Sequence, residues 1–299
     1  MCIWKKSDDE PLPELPRKPL SVPARVRFFA SIARENRDLI KGMLPADERL
    51  GNSAQVAKLY ADTAPLPIDT VLTPALDAAQ PPPDPSFIHV VPGDSLDTAL
   101  TLHSRGIKDI LVLNMANSRI PGGLYTEGAG AQEEALCRRT TLYHTLFRNP
   151  SFYPIPHHGV IYSPDVLVLR KSDDEQCELL KSEQRWWTSV VSVAAVFQPQ
   201  WDKAGSGFAI VEDREEMRER MKMVLRVAVL EGKRNLVLGA MGCGVFRNPP
   251  LGVAQLFKEV LTDSEFMGRF MGVWFAILDR GPSRNFQIFS QVLNGVKIN

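Results

Sequence analysis

Residues 109–146 read DILVLNMANSRIPGGLYTEGAGAQEEALCRRTTLYHTL, and this stretch decides the fold. An apolar run at 109–113 predicts a strand that stops at Leu113. A loop of small and polar residues follows, with Asn114, Asn117, Ser118 and then Pro121-Gly122-Gly123. Paired glycines accept positive φ and let a ligand approach bare backbone. Gly128 and Gly130 keep the rest of the loop small, and Gln132-Glu133-Glu134 opens a predicted helix over 133–147. A strand, a ligand-sized loop and a helix form the unit of an α/β fold, where ligands sit beyond the carboxyl ends of strands. Acidic residues in a first helical turn also complement the helix dipole. Asn, Pro-Gly-Gly and Gln-Glu-Glu within one loop length are more specific than that. Glu133 and Glu134 are neighbours, so their side chains are expected to leave the helix in different directions, one serving as the chemical acid and the other as an anchor. Close like charges raise one pKa and favour a proton donor near neutral pH.

A second loop lies in NLVLGAMGCGVFRNPPLGVAQLFKEVL, residues 235–261. Strand, Gly239, Gly242, Gly244, then a helix from Pro250 present backbone N–H groups to an anion. No Lys-Ser/Thr follows the glycines, which excludes a P-loop. The glycines are also misplaced for a dinucleotide-binding turn. Taken alone, the loop reads equally as a phosphate cradle or as a tight turn of small residues.

Further strands are predicted at 87–91, 160–162, 166–169, 190–197, 236–240 and 273–278. Helices are predicted at 24–43, 95–104, 214–231, 251–261 and 284–293. The 214–231 helix carries Met217, Met221, Val224, Leu225 and Ala228 on one face and ends before Gly232. Apolar strands alternating with amphipathic helices predict a sheet covered on both faces. Residues 1–22, with Pro11, Pro13, Pro16 and Pro19, read as a flexible leader. Residues 23–86 read as a helical arm and a connector with seven prolines in 62–86, lying over the surface. Residues 87–299 read as the main domain.

Across 299 residues, 35 basic and 35 acidic side chains give a formal net charge of zero, so no long-range attraction to nucleic acid or an anionic membrane is expected. Cys2, Cys137, Cys177 and Cys243 form no CxxC pair and no His/Cys cluster, so neither a metal nor another cofactor is expected. They read as free thiols of an intracellular protein, cytoplasmic or nuclear. The charged N-terminus is no signal peptide, and no apolar run is long enough to span a bilayer.

Gly122-Gly123-Leu124, a seven-residue spacer and Gln132-Glu133-Glu134 resemble the signature of the macrodomain poly(ADP-ribose) glycohydrolases, in the shorter type of bacteria and filamentous fungi. The resemblance extends to LCRRTTLY (136–143), IYSPDVLVLR (161–170) and LGAMGCGVF (238–246). It also takes in the helical segment before residue 50, and covers the chain from about residue 24 to the end. It implies a macrodomain-like mixed sheet flanked by helices on both faces, with an N-terminal helical extension. The activity implied is cleavage of ribose–ribose bonds in poly(ADP-ribose), with ADP-ribose or the polymer on modified proteins as partner and the protein acting as a monomer. Glu134 would be the acid/base. Glu133 and Gln132 would hold ribose hydroxyls and orient the loop. Asn117 would bind the ribose beside the scissile bond. Gly122 and Gly123 would admit diphosphate and ribose. Gly242, Cys243, Gly244 and Val245 would donate N–H groups to the diphosphate, and Phe246 would pack on the distal ribose. Breaking such a bond passes through an oxocarbenium-like state, for which one carboxyl can protonate the leaving oxygen and then activate water.

Position 124 is Leu where the signature has its third Gly, so a side chain there is expected to press the loop away from positive φ or fill substrate space. That departure keeps open a non-catalytic ADP-ribose reader, beside a hydrolase of mono-ADP-ribosyl or other conjugates. Trp186-Trp187 could stack on adenine but fit half-buried packing as well. His144, His157 and His158 lack a placed partner. Asp94 could meet adenine or cap the next helix, and 214–220 reads as a solvated helix face.

Overall fold

The computed structural model describes residues 22–66, 86–279 and 281–299. The expected leader, apart from Val22, and most of the Pro-rich connector lie outside the described residues. Helix α1 (Val22–Met43) and the short α2 (Glu48–Asn52) lead into strand β1 (Lys58–Ala61). Then come β2 (Ile88–Pro92), α3 (Ser95–Ser104), β3 (Ile110–Met115), α4 (Gln132–Arg139), α5 (Leu142–Phe147), β4 (Gly159–Val168) and β5 (Trp186–Val193). The chain finishes with α6 (Val211–Leu230), β6 (Asn235–Leu238), α7 (Pro250–Leu261), β7 (Gly272–Ile277) and α8 (Asn285–Leu293).

The described strands form one seven-stranded sheet in the order β1-β4-β5-β3-β6-β7-β2. β5, β3, β6, β7 and β2 run parallel, while β4 is antiparallel to both β5 and β1. The expected mixed α/β sheet is therefore present. Alternate residues of β3 show how both faces are buried: Leu111 and Leu113 join the cluster under α6, α7 and α8, and Ile110 and Val112 join the cluster under α3, α4 and α5. Among the described residues no helix is long and apolar enough to cross a membrane.

Three expectations change in detail. The two short strands at 160–162 and 166–169 are one strand, β4, whose register shifts between Ser163 and Val166. Pro164 sits in that shift, where its missing N–H costs no ladder bond, and its carbonyl accepts from Ser189 Oγ at 3.0 Å. The expected helix 133–147 is two helices. Thr140 leaves the helix in extended backbone (φ −140°, ψ 176°) and bridges to Val168. The strand expected at 190–197 is shifted back to Trp186–Val193, because Trp186 and Trp187 pair with Val168 and Leu167.

Helix α1 docks on the loop between β3 and α4. Asn36, buried on α1, donates to the Arg138 carbonyl at 2.7 Å and to the Tyr125 hydroxyl at 3.2 Å, and accepts from Arg170 Nε at 2.7 Å. Gly128 has φ +83°, and any Cβ there would collide with the Val26 carbonyl of α1. The segment expected as an arm thus supplies both β1 to the sheet and a clamp to the loop. Its connector also begins inside the core, since Leu66 is buried and its N–H donates to Glu265 at 3.0 Å. A Gly128→Ala substitution combines left-handed strain with the collision. It should lower stability by roughly 2 kcal/mol or more, read as a lower urea midpoint; an unchanged midpoint would show that the docking is not needed.

Candidate active site

The carboxyl ends of β2, β3, β6 and β7 open on a cleft of about 500 Å³. That volume suits a small-molecule ligand. One wall is the loop Gly239 to Phe246 beyond β6, and the opposite side is Gly130, Ala131 and Gln132 at the start of α4. Asp94, Asn285 and Ser283 lie at the cleft's β2–β7 side, and Ser172 to Asp174 also line it.

The glycine loop is held open by Asn248, a fully buried side chain. Its Nδ2 donates to the Val196 carbonyl at 2.7 Å and to the Gly242 carbonyl at 3.3 Å, and its backbone N–H also donates to Gly242. The Cys243 N–H is spent within the turn, on the Ala240 carbonyl at 3.0 Å. The expected donor set is therefore reduced to Gly242, Gly244 and Val245, with Phe246 added, since its N–H too has no acceptor among the described residues. A run of unspent N–H groups on a cleft wall is an anion cradle.

Gln132 does not offer its amide to the cleft. Its Oε1 accepts from Met115 N–H at 2.9 Å, and its Nε2 donates to the Leu113 carbonyl at 2.7 Å. It ties the first turn of α4 to the end of β3, a positioning role. Glu133 follows, almost fully buried. Its Oε1 accepts from Asn114 Nδ2 at 3.3 Å and its Oε2 from Asn117 N–H at 2.7 Å. Asn117 Oδ1 in turn accepts from the N–H groups of Arg119 and Ile120, at 2.8 and 3.0 Å, which curls the loop; its Nδ2 is the group left for a ligand.

Glu134 Oε1 accepts from Leu124 N–H at 3.0 Å, and its buried Oε2 has no partner. The two carboxylates do not diverge as neighbouring helix positions were expected to. A Cβ on Gly123 would overlap Glu134 Oε1 and stand 3.2 Å from Glu133 Oε2, so both reach the same point under the loop. This convergence requires glycine at 123, where φ is +57°, and Gly122 beside it has φ +69°. Leu124 has φ −99° and a side chain 44% exposed, so the expected pressure on the loop does not arise.

Arg138 and Arg139 escaped the sequence reading, because basic residues in a last helical turn look like dipole partners. Arg138 is fully buried, bound to Asp173 Oδ2 at 2.7 Å and to the Ala129 carbonyl at 2.6 Å. Arg139 bridges Asp94 and Asp97, each at 2.5 Å. Asp94 therefore has two roles, capping α3 through Leu96 N–H at 2.7 Å and lining the cleft. Trp186 stacks on His103 and Trp187 lies under Arg49, both at the amino end of β5 and outside the cleft lining. His157 and His158 contact Glu216, at 3.1 and 3.0 Å, and do not line the cleft either.

Burial pushes the Glu133 carboxyl up from 4.5 to about 8, with the Glu134 charge adding to the rise against the hydrogen bonds from Asn117 and Asn114. The folded protein therefore holds a proton that the unfolded chain releases above pH 4.5. Stability is free of this cost below the unfolded pKa and falls as pH rises toward 8. Glu133→Gln should flatten that loss: urea midpoints of wild type and variant should draw together near pH 4 and separate in the variant's favour by pH 8. Parallel profiles would refute the assignment.

The family described as microbial-type PARG, catalytic domain, matches residues 45–171. Poly(ADP-ribose) glycohydrolase from Thermomonospora curvata is similar with a TM-score of 0.72 and 30% identity, over 89% of this chain and 100% of that one. Its complex with the inhibitor ADP-HPD gives 0.70 and 28%, over 89% and 99%. The Deinococcus radiodurans enzyme in complex with ADP-ribose gives 0.64 and 28%, over 81% of this chain and 95% of that one. A search of curated proteins by sequence finds no match. Gly130, Ala131 and Gln132 bring the start of α4 to the cleft, whereas Asn117, Gly122, Gly123, Glu133 and Glu134 are not part of its lining. With a 30%-identical relative covered along its whole length, and with the loop beyond β6 and the start of α4 lining one cleft, this chain belongs to the microbial-type poly(ADP-ribose) glycohydrolases.

Proposed function

We propose that this protein hydrolyses the ribose–ribose O-glycosidic bonds of poly(ADP-ribose) carried on modified proteins and releases ADP-ribose. The observation that carries the assignment of roles is the asymmetry of the two carboxylates. Glu133 is bound at both oxygens, by Asn114 and Asn117. Glu134 is bound at one by Leu124, and its other oxygen is buried and unpartnered. A buried acceptor without a partner is costly, and a substrate hydroxyl that donates to it relieves that cost.

The diphosphate lies against the free N–H groups of Gly242, Gly244, Val245 and Phe246, and Phe246 packs on the distal ribose. Glu133 receives ribose hydroxyls, with Asn117 Nδ2 beside them. The raised pKa of Glu133 keeps a proton in the site at neutral pH. Hydroxyls that donate to Glu133 favour its ionised form and place the proton on Glu134 Oε2. From there it passes to the leaving oxygen as the glycosidic bond breaks to an oxocarbenium-like sugar. The Glu134 carboxylate then takes a proton from the water that attacks the anomeric carbon.

Glu134→Gln should reduce ADP-ribose release from the polymer by at least about a hundredfold while calorimetry finds ADP-ribose binding kept; unchanged release would refute the role. Leu124→Gly should leave the rate of polymer digestion within about threefold of wild type, since an exposed side chain on ordinary backbone is not strained. A large gain in rate would instead favour the reader as the natural role.

A further inference from the structure

The wall of the cleft formed by Val245 and Phe246 continues outward onto exposed aromatic surface. Phe197 meets Phe246 edge to face, with ring centroids 5.2 Å apart, yet remains 64% exposed. Trp201 is 45% exposed, and Val245 is 69% exposed. Two hydrogen bonds fix this surface to the glycine loop. Gln198 N–H donates to the Phe246 carbonyl at 2.8 Å, and Trp201 Nε1 donates to the Arg247 carbonyl at 2.7 Å. Arg247 is held between them in left-handed backbone, at φ +53°. Its guanidinium and the Lys203 ammonium have no ion-pair partner among the described residues.

Isolated exposed apolar residues need no explanation, but a contiguous aromatic patch at the mouth of a cleft does. Aromatic faces flanked by cations are the usual platform for a nucleotide base with its phosphates, because every base has a π-face and every phosphate a charge. A substrate of linked ADP-ribose units extends beyond the cleft, and its next unit presents an adenine and a diphosphate. Resting on the polymer reading above, we propose that Phe197 and Trp201, with Arg247 and Lys203, form a subsite for the ADP-ribose unit adjoining the one in the cleft. Phe197 stacks the adenine, and the two cations hold the diphosphate. Such a subsite favours the polymer over single ADP-ribose units without altering the chemistry at Glu134.

The test measures binding of ADP-ribose and of a defined-length ADP-ribose oligomer to the Glu134→Gln protein, alone and with Phe197→Ala or Phe197→Trp added. One base stacked on an aromatic side chain should make the oligomer bind roughly ten- to a hundredfold tighter than ADP-ribose. Phe197→Ala should remove most of that margin and leave ADP-ribose affinity unchanged, and Phe197→Trp should restore it. Three results would each overturn the proposal: no margin for the oligomer, equal weakening of both ligands by Phe197→Ala, or a dimer in sedimentation that Phe197→Ala dissociates. Failure of the wild-type protein to release ADP-ribose from the polymer would count against the hydrolase reading instead, and the comparison of the two affinities would stand apart from it.

Discussion

The guanidinium of Arg138 is fully buried, and the catalytic loop is built around it. It lies 3.7 Å from the centre of the Phe29 ring of α1, binds Asp173 and donates to the Ala129 carbonyl as a third partner. A buried charge in that position is tolerable only with all its partners in place, and losing one leaves a strongly unfavourable group behind. The loop 117–131 cannot drift without uncovering it. Asn36 adds the second tie, joining α1 to Tyr125, to the Arg138 carbonyl and to Arg170. The two carboxylates can therefore be held beneath Gly123 with little backbone freedom, which is what a proton transfer over a short distance demands.

Electrostatics and fold support one another at this point. The first turn of α4 carries two acidic residues with no side-chain cap. The helix dipole favours them there, but burial opposes their ionisation. Glu133 and Glu134 lie under the loop because Gln132, immediately before them, uses both ends of its amide on β3. The order of residues in Gln-Glu-Glu thus maps onto three tasks: bracing the strand end, anchoring the loop, and leaving one carboxylate oxygen free.

Much of this was legible in the chain itself. Periodicity and punctuation located the helix at Ser95–Ser104 and placed β3, β6 and β7 within a few residues, because each is a buried apolar run between turn residues. The glycine loop beyond β6 and the Gln-Glu-Glu turn were identifiable by their small residues and spacing. What stayed hidden depended on distant partners. The break at Thr140 follows from its bridge to Val168, and β1 is a strand because β4 is there to pair with it. Glu133 and Glu134 point to one place because the loop above them is glycine, which helix geometry alone does not reveal. The spent N–H of Cys243 and the ordinary φ of Leu124 are likewise tertiary facts.

The tie between Asn36 and Arg170 spans 134 residues of sequence, and that between Asn36 and Arg138 spans 102. Contacts so distant along the chain form late, after the loop entropy between them has been overcome. During synthesis α1 emerges long before the surface it must clasp, and β1 must wait for β4 before it can join the sheet. The sheet makes the same demand, since β2 pairs with β7 and β3 with β6 across most of the domain. When α1 lets go, Tyr125, Arg138 and the turn at Gly128 lose their clasp together, so the two ends of one loop are secured by a single helix.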